Sequence, residues 1–538
     1  MTLLAAPFIH AQQTRADAEK DPVLKAMLHE MDRSVAQLQL TGFAKPYFIQ
    51  YRLQDIDDYA ARAVFGASQG SARTHRRVVV VTVRVGDRKV DNSGGRGDTT
   101  AQLTSLNDDE TALRSSLWFA TDQAYKAALA AYAQKQAALK QVETPPQAND
   151  FSEEKPIVSL ASPVQLDLGA NTWEQRMAHA SGLYRSPEAA KLAGGDIQYT
   201  NAAFHARATT TWIVTSEGAI VRKSSSAYQQ VFGVGTQAAD GMRLNRSYSS
   251  TGTSLADLDP QQAFEKHATA LIASLGELRR APLVEEEYHG PILESSDAGV
   301  DTLRALLAGG VTATRPQLGT EARTVGPFAS SFHAQILPAS FDVVDDPALK
   351  NFGGKGLVGA YDVDDEAVPA QAVKLVDGGR LVSYLVGRQP VRDFPRSNGH
   401  ARATIASAAR PSIAVLKASA RDGLSDEELN HRLLEMAKDR GLDHVYYVET
   451  LGGVRSPRLL YRIGTDGKRT LVRGAALADI DQRALRSSIE AAGKDLFVAN
   501  FFEEIPQTVI APALLFGDAT IRRANEKNDK LPFYPPPQ

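Results

Sequence analysis

The sequence predicts an α+β protein. An N-terminal α/β domain with a mixed sheet and helices precedes a β-rich C-terminal domain of antiparallel, barrel- or sandwich-like build. Two observations predict this. Up to about residue 280, apolar residues at helical spacing alternate with valine-, tyrosine- and threonine-rich runs; from Pro282 onward β-like runs dominate. The chain's 538 residues are also enough for more than one buried core. The expected division is 1–20 as a signal remnant or disordered leader, 21–280 as the first domain and 283–538 as the second.

Asp21-Pro22 opens the first helix, because an Asp cap satisfies free amides and an N1 proline presets φ. Val23, Leu24, Met27, Leu28, Met31, Val35 and Leu38 then give it one apolar face. Strand runs follow at Tyr47 to Leu53, Ala60 to Phe65 and Arg77 to Val85. Val78 to Val81 is consecutive valine, which suits burial on both faces. Asp108-Asp109-Glu110 starts a long alanine-rich helix over 108–141, whose part from Ala127 to Lys140 has few large apolar side chains and is expected to project. Residues 143–164 read as linker.

A helix from Thr172 to Ala193 comes next. Strands follow around Ala203 to Val214, Ala219 to Ser225 and Tyr228 to Gly235, with a turn at Ser216-Glu217-Gly218. Asp259-Pro260 repeats the helix start. Further helices are expected at 297–308 and 425–440.

The formal net charge of −3 gives no case for nucleic acid. With no cysteine, disulfides and all thiolate chemistry are excluded. No apolar run reaches the ~20 residues of a membrane span. Thr2 to Ala11 is a short apolar run ending in a small residue. It reads as the end of a signal peptide without its basic start, which implies a periplasmic or secreted protein; the alternative is a cytoplasmic one.

Zinc helices need imidazoles about one turn apart. The nearest histidines here, His431 and His444, are thirteen residues apart, so no short His-His motif exists. Glu294, Asp297 and Asp301 could share one helix face and offer oxygen ligands to a hard cation. The simpler reading makes Ser295 or Ser296 a helix cap and Asp297 a dipole partner. Asp345-Asp346 and Asp364-Asp365-Glu366 read as turn and loop carboxylates. Ser397-Asn398-Gly399-His400-Ala401-Arg402 is the richest remaining polar constellation: amide groups at Asn398, a titratable His400 and a bidentate donor in Arg402. A plain Asn-Gly turn beside a surface arginine is the competing reading. Gly66-Ala67-Ser68-Gln69-Gly70 matches G-x-S-x-G, but no helix follows it, as a nucleophile elbow requires. Arg96-Gly97-Asp98 is a chance tripeptide in a glycine-rich loop.

SFDVVDDPALKNF (340–352), VGAYDVDDEAVPAQAVKLVDGGRLVSYLVGR (358–388) and FPRSNGHARA (394–403), in that order, resemble the C-terminal domain of the TldD/PmbA metallopeptidase family. TWIVTSEG (211–218) and the segment from Tyr461 to Ala475 extend the likeness. The resemblance implies a dimer enclosing a cavity for unfolded peptide. Asn398, His400, Arg402, Asp345, Asp346, Asp364, Asp365 and Glu366 would border that peptide cleft. Catalytic members carry H-E-x-x-x-H where this chain has Glu294-Ser295-Ser296-Asp297-Ala298-Gly299, and the family's zinc-ligand cysteine is absent too. The chain therefore resembles the metal-less TldE/PmbA type: no cofactor is expected, zinc belonging to the catalytic relatives. The expected partner is a second copy or a zinc-bearing TldD-like homologue, with unfolded peptide held between them.

Two rival readings are a peptidase with a rearranged site of Glu294, Asp297, His289 and His400, and an envelope scaffold docking through Ala127 to Lys140 and the tail from Pro532 to Pro537. Family members place glycine after Asp-Asp-Glu. Ala367 stands there instead, which argues against a positive φ at that position.

Overall fold

A computed structural model describes residues 13–94, 99–143, 148–170 and 172–525. The leader run up to Ala11, the Arg96-Gly97-Asp98 tripeptide and the proline-rich tail lie outside the described residues. α1 (Arg15–Ala18) leads into α2 (Pro22–Gln37), where the Asp21 carboxylate accepts the amides of Val23 and Leu24. β1 (Pro46–Val64) and β2 (Ala67–Val85) are two long strands of one hairpin, so the two separate runs expected before residue 65 are continuous. Their turn uses positive φ at Phe65 (49°) and Gly66 (80°), the pattern a tight two-residue hairpin needs. The G-x-S-x-G match is this turn, followed by a bulge in which Gln69 and Gly70 lie opposite Arg62 alone.

β3 (Thr99–Thr104) borders β2, and α3 (Glu110–Leu139) starts at an Asp109 cap. The distal part of α3 does not project. Ala128 and Ala131 are buried, and Lys135 Nζ reaches Asp150 Oδ2 at 2.5 Å. Within the expected linker, β4 (Val158–Leu160) runs parallel to β6 as an edge strand. The helix expected over 172–193 is broken into α4 (Trp173–Gly182) and α5 (Pro187–Ala193), because the Ser186-Pro187 pair starts a new helix. β5 (Tyr199–Thr215), β6 (Ile220–Gln237) and β7 (Arg243–Gly252) form the meander, turning at Ser216 to Gly218. α6 (Gln261–Arg280) follows Pro260.

The N-terminal sheet has the order β3-β2-β1-β5-β6-β4, with β7 also on β6. α2, α3, α4 and α6 all pack on one of its faces. Val79, Val81, Leu53 and Trp212 meet α2 and α3, whereas Ala61, Phe204 and Phe232 meet α4 and α6. The alternate residues therefore turn the opposite face, Gln54, Thr211 and Lys223 among them, toward the rest of the chain.

β8 (Tyr288–Glu294), α7 (Ser296–Leu307) and β9 (Phe341–Asp345) open the C-terminal part. β8 lies between Gln507–Arg523, antiparallel, and His444–Leu451, parallel. Val415–Ala420 also runs parallel to Gln507–Arg523, so the sheet is mixed where antiparallel pairing was expected. Among the described residues it does not close into a barrel. α7 packs on the Ile292 side of the sheet and α8 (Asp426–Asp439) on the Leu293 side.

Candidate functional site

The open face of the N-terminal sheet and the acidic loops of the C-terminal part enclose a cavity of about 540 Å³. One wall is sheet: Gln54, Thr209, Thr211, Lys223 and Ser225. The other includes Tyr361, Asp365 and Arg402.

Backbone amides build the second wall. Asp364 Oδ1 accepts the amides of Glu366 and Val368, both at 2.9 Å, and its Oδ2 accepts Ala401 N at 3.1 Å. Winding a loop this tightly around one carboxylate forces Ala367 to φ 61°, so the expectation drawn from its missing glycine is wrong. The Ala367 side chain packs among Ile213, Val221 and Val363, which explains why a methyl group is kept there.

Asp365 Oδ2 accepts Ala403 N at 2.8 Å while Oδ1 lies 2.7 Å from Lys223 Nζ. Burial would raise the Asp365 carboxyl, but Lys223, Arg52 and Arg402 outweigh it and hold it down at about 2. Burial in turn lowers the Lys223 ammonium. Glu366 Oε2 accepts Arg388 N at 2.5 Å; burial first and the neighbouring Asp364 second push its carboxyl up to about 7. Arg402 stacks on Tyr361, its Cζ 4.5 Å from the ring centroid, with Nε 4.0 Å from Asp365.

His400 and Asp345 are fully buried behind this wall, with Nε2 3.2 Å from Asp345 Oδ1 and Nδ1 3.0 Å from Asn398 O. Asp345 also accepts the amides of Ala414 and Val415. Asn398 spends its amide on Tyr384 O and Val386 N, both at 2.8 Å, while Asp346 caps its own turn at Ala348 N. Of the residues expected at a cleft, Asp365 and Arg402 line it. Asp345, Asp346, Asp364, Glu366, Asn398 and His400 hold the loops that shape it. Lys223 and Tyr361 were not singled out from the sequence. Lys223 could have been found from its place five residues after the Ser216 to Gly218 turn, immediately before a run of three serines.

The second candidate region is the start of α7. Ser295 is the cap, its Oγ accepting Ala298 N at 3.1 Å. Glu294 ends β8 fully buried beside the Thr302 hydroxyl; burial pushes this carboxyl up to about 8 and the hydroxyl only partly offsets it. Asp297 and Asp301 are raised as well, chiefly by burial, Asp301 to about 6. His289 is not brought to them. It sits at the far end of β8, two-thirds exposed, bonded to Thr520 and Glu287. Among the described residues no group of three His, Cys, Asp or Glu could hold a metal ion. With no imidazole or thiolate on α7, the donor set a zinc helix uses is missing there. No described helix is long and apolar enough to cross a membrane.

Residues 292–523 match the PmbA/TldA metallopeptidase C-terminal domain. That match covers the C-terminal part of the chain, from β8 onward. No curated protein matches it. Its fold is shared with solved structures of low identity. A protein described as a candidate DNA gyrase modulator from Thermotoga maritima is 15% identical, with a TM-score of 0.60, covering 92% of this chain and 100% of its own. TldE from Thermococcus kodakarensis is 13% identical, TM-score 0.60, covering 93% and 99%. A further protein described as a candidate gyrase modulator, from Bacteroides thetaiotaomicron, is 12% identical, TM-score 0.54, covering 94% and 100%.

Proposed function

We propose that this chain is a non-catalytic, TldE-like subunit that holds an extended, unfolded peptide in the cleft between its two sheets, as a dimer with itself or with a zinc-bearing homologue. The observation that carries this reading is the pairing of a built cleft with an α7 that carries neither imidazole nor thiolate. Hydroxyl and amide side chains of β1, β5 and β6 supply hydrogen-bonding groups that tolerate varied sequence, and Arg402 on Tyr361 presents a guanidinium to a peptide carboxylate or carbonyl. The buried carboxylates of 345–366 keep that wall rigid, so a bound chain meets a preformed surface.

The test is fluorescence anisotropy with a labelled unstructured peptide, beside elemental analysis of the purified protein. Saturable binding that weakens about tenfold or more in Arg402→Ala, with zinc far below one equivalent, supports the reading. Chelator-sensitive peptide cleavage with one equivalent of metal would replace it with a rearranged metallopeptidase.

A further inference from the structure

We infer that the outer edge of β2 over Ser71 to Arg76 receives the same edge of a second copy of this chain, antiparallel, about a two-fold axis at Ala72. This deepens the dimerisation clause of the proposed function and rests on it.

β3 covers β2 only from Arg77 to Thr82. From Ser71 to Arg76 the strand pairs with β1 on one side alone, and Ser71 through His75 are exposed. Among the described residues their backbone makes no hydrogen bond beyond that ladder. A row of unpaired amides and carbonyls is a template for one more strand. The bulge at Gln69-Gly70 ends this edge on one side and β3 ends it on the other. The free run is therefore short, which suits a segment of the same length better than a long peptide.

Charge selects the register. Ser71 Oγ donates to Glu174 Oε1 at 2.5 Å and Ser68 Oγ to Oε2 at 3.2 Å. Two serines thus aim a half-buried carboxylate at the edge, and Glu174 makes no ion pair among the described residues. With Ala72 opposite its own copy, Ser71 faces the copy's Arg73, so each Glu174 adds a second carboxylate to a guanidinium that already holds its own Asp57 at 2.6 Å. An axis at Arg73 would oppose two guanidinium groups, and one at Ser71 would bring the two Glu174 carboxylates together. Ala72 leaves the crossing free of bulk.

The test is sedimentation equilibrium on the full chain. Ala72→Glu would set two carboxylates against each other at the axis, and Glu174→Arg would turn the attraction into repulsion. Ala72 is exposed, so thermal stability should hold in Ala72→Glu, while Glu174→Arg gives up only two serine hydrogen bonds. The expected result is a wild-type dimer whose dissociation constant rises about tenfold or more in each variant, while Gln123→Glu, exposed on α3, leaves it unchanged. A dimer unaffected by Ala72→Glu would overturn the inference but spare the proposed function. So would a dimer formed only with a zinc-bearing homologue. A wild type monomeric across the accessible concentration range would remove the homodimer altogether, and peptide anisotropy on the same samples would show whether the cleft's role survives.

Discussion

Arg388 Nη1 of the C-terminal part lies 2.7 Å from Glu217 Oε2 in the N-terminal hairpin turn. The guanidinium is almost fully buried, stacked on Phe151 and Phe48 with Cζ 4.0 and 4.9 Å from their ring centroids, and it also donates to Ser152 O at 2.8 Å. A charge removed from water needs partners, and the first half of the chain supplies them to this arginine of the second, leaving Nε alone without one among the described residues. Arg388→Ala is expected to cost about 2–4 kcal/mol, with Arg388→Lys recovering little because an ammonium cannot stack and fork at once. Chemical denaturation of the full chain measures both.

Glu294 gives a pH signature. Its folded carboxyl titrates at about 8, above the ordinary 4.5, so folding favours the protonated form. Its contribution is fully present below pH 4.5 and is lost as pH rises through 8. Glu294→Gln should abolish that slope and match or exceed wild-type stability at pH 8. A variant less stable than wild type at pH 8 would show that the Thr302 hydroxyl holds the carboxylate well enough to offset its burial.

Ala367 separates backbone strain from packing. Glycine there relieves about 1 kcal/mol of left-handed backbone but gives up a buried methyl worth about the same, so Ala367→Gly should be near neutral. Ala367→Val, β-branched at positive φ, should lose about 2 kcal/mol or more. Thermal melts of the two variants decide the matter.

Asp365→Asn leaves the half-buried Lys223 ammonium beside a neutral amide. The expected loss is about 3 kcal/mol near neutral pH. The wild-type carboxylate, held at about 2, contributes stability that is present above its ordinary 3.8 and is lost as pH falls from there through 2. The variant's stability deficit should therefore shrink on acidification. Lys223→Met with Asp365→Asn should recover much of the loss.

Legibility in the sequence followed the range of the interactions. Asp21, Asp109, Ser295 and the Ser216 to Gly218 turn act within a few residues of themselves, and each is where local reasoning puts it. The ordered acidic phrases also pointed to the domain whose model matches residues 292–523. Residues whose roles depend on distant partners were read less well. His400 looks like a titratable loop residue but is sealed against Asp345, 55 positions away. Ala367 shows its strain only once the Asp364 loop is closed, and Lys223 gains meaning only opposite Asp365. His289 and Glu294 are five positions apart in sequence, yet an extended strand separates them by about 17 Å.

Arg52 carries a last consequence. It is nearly inaccessible on β1, yet it donates to Thr404 O and Ser407 O in the other half of the chain, while Gln50 reaches Asp365 O. Severing the polypeptide near Pro282 and producing the pieces separately would strand these donors without acceptors and bare Leu459, a residue of the second half seated in the first half's core. The fragments should be insoluble alone and should recover only when co-expressed.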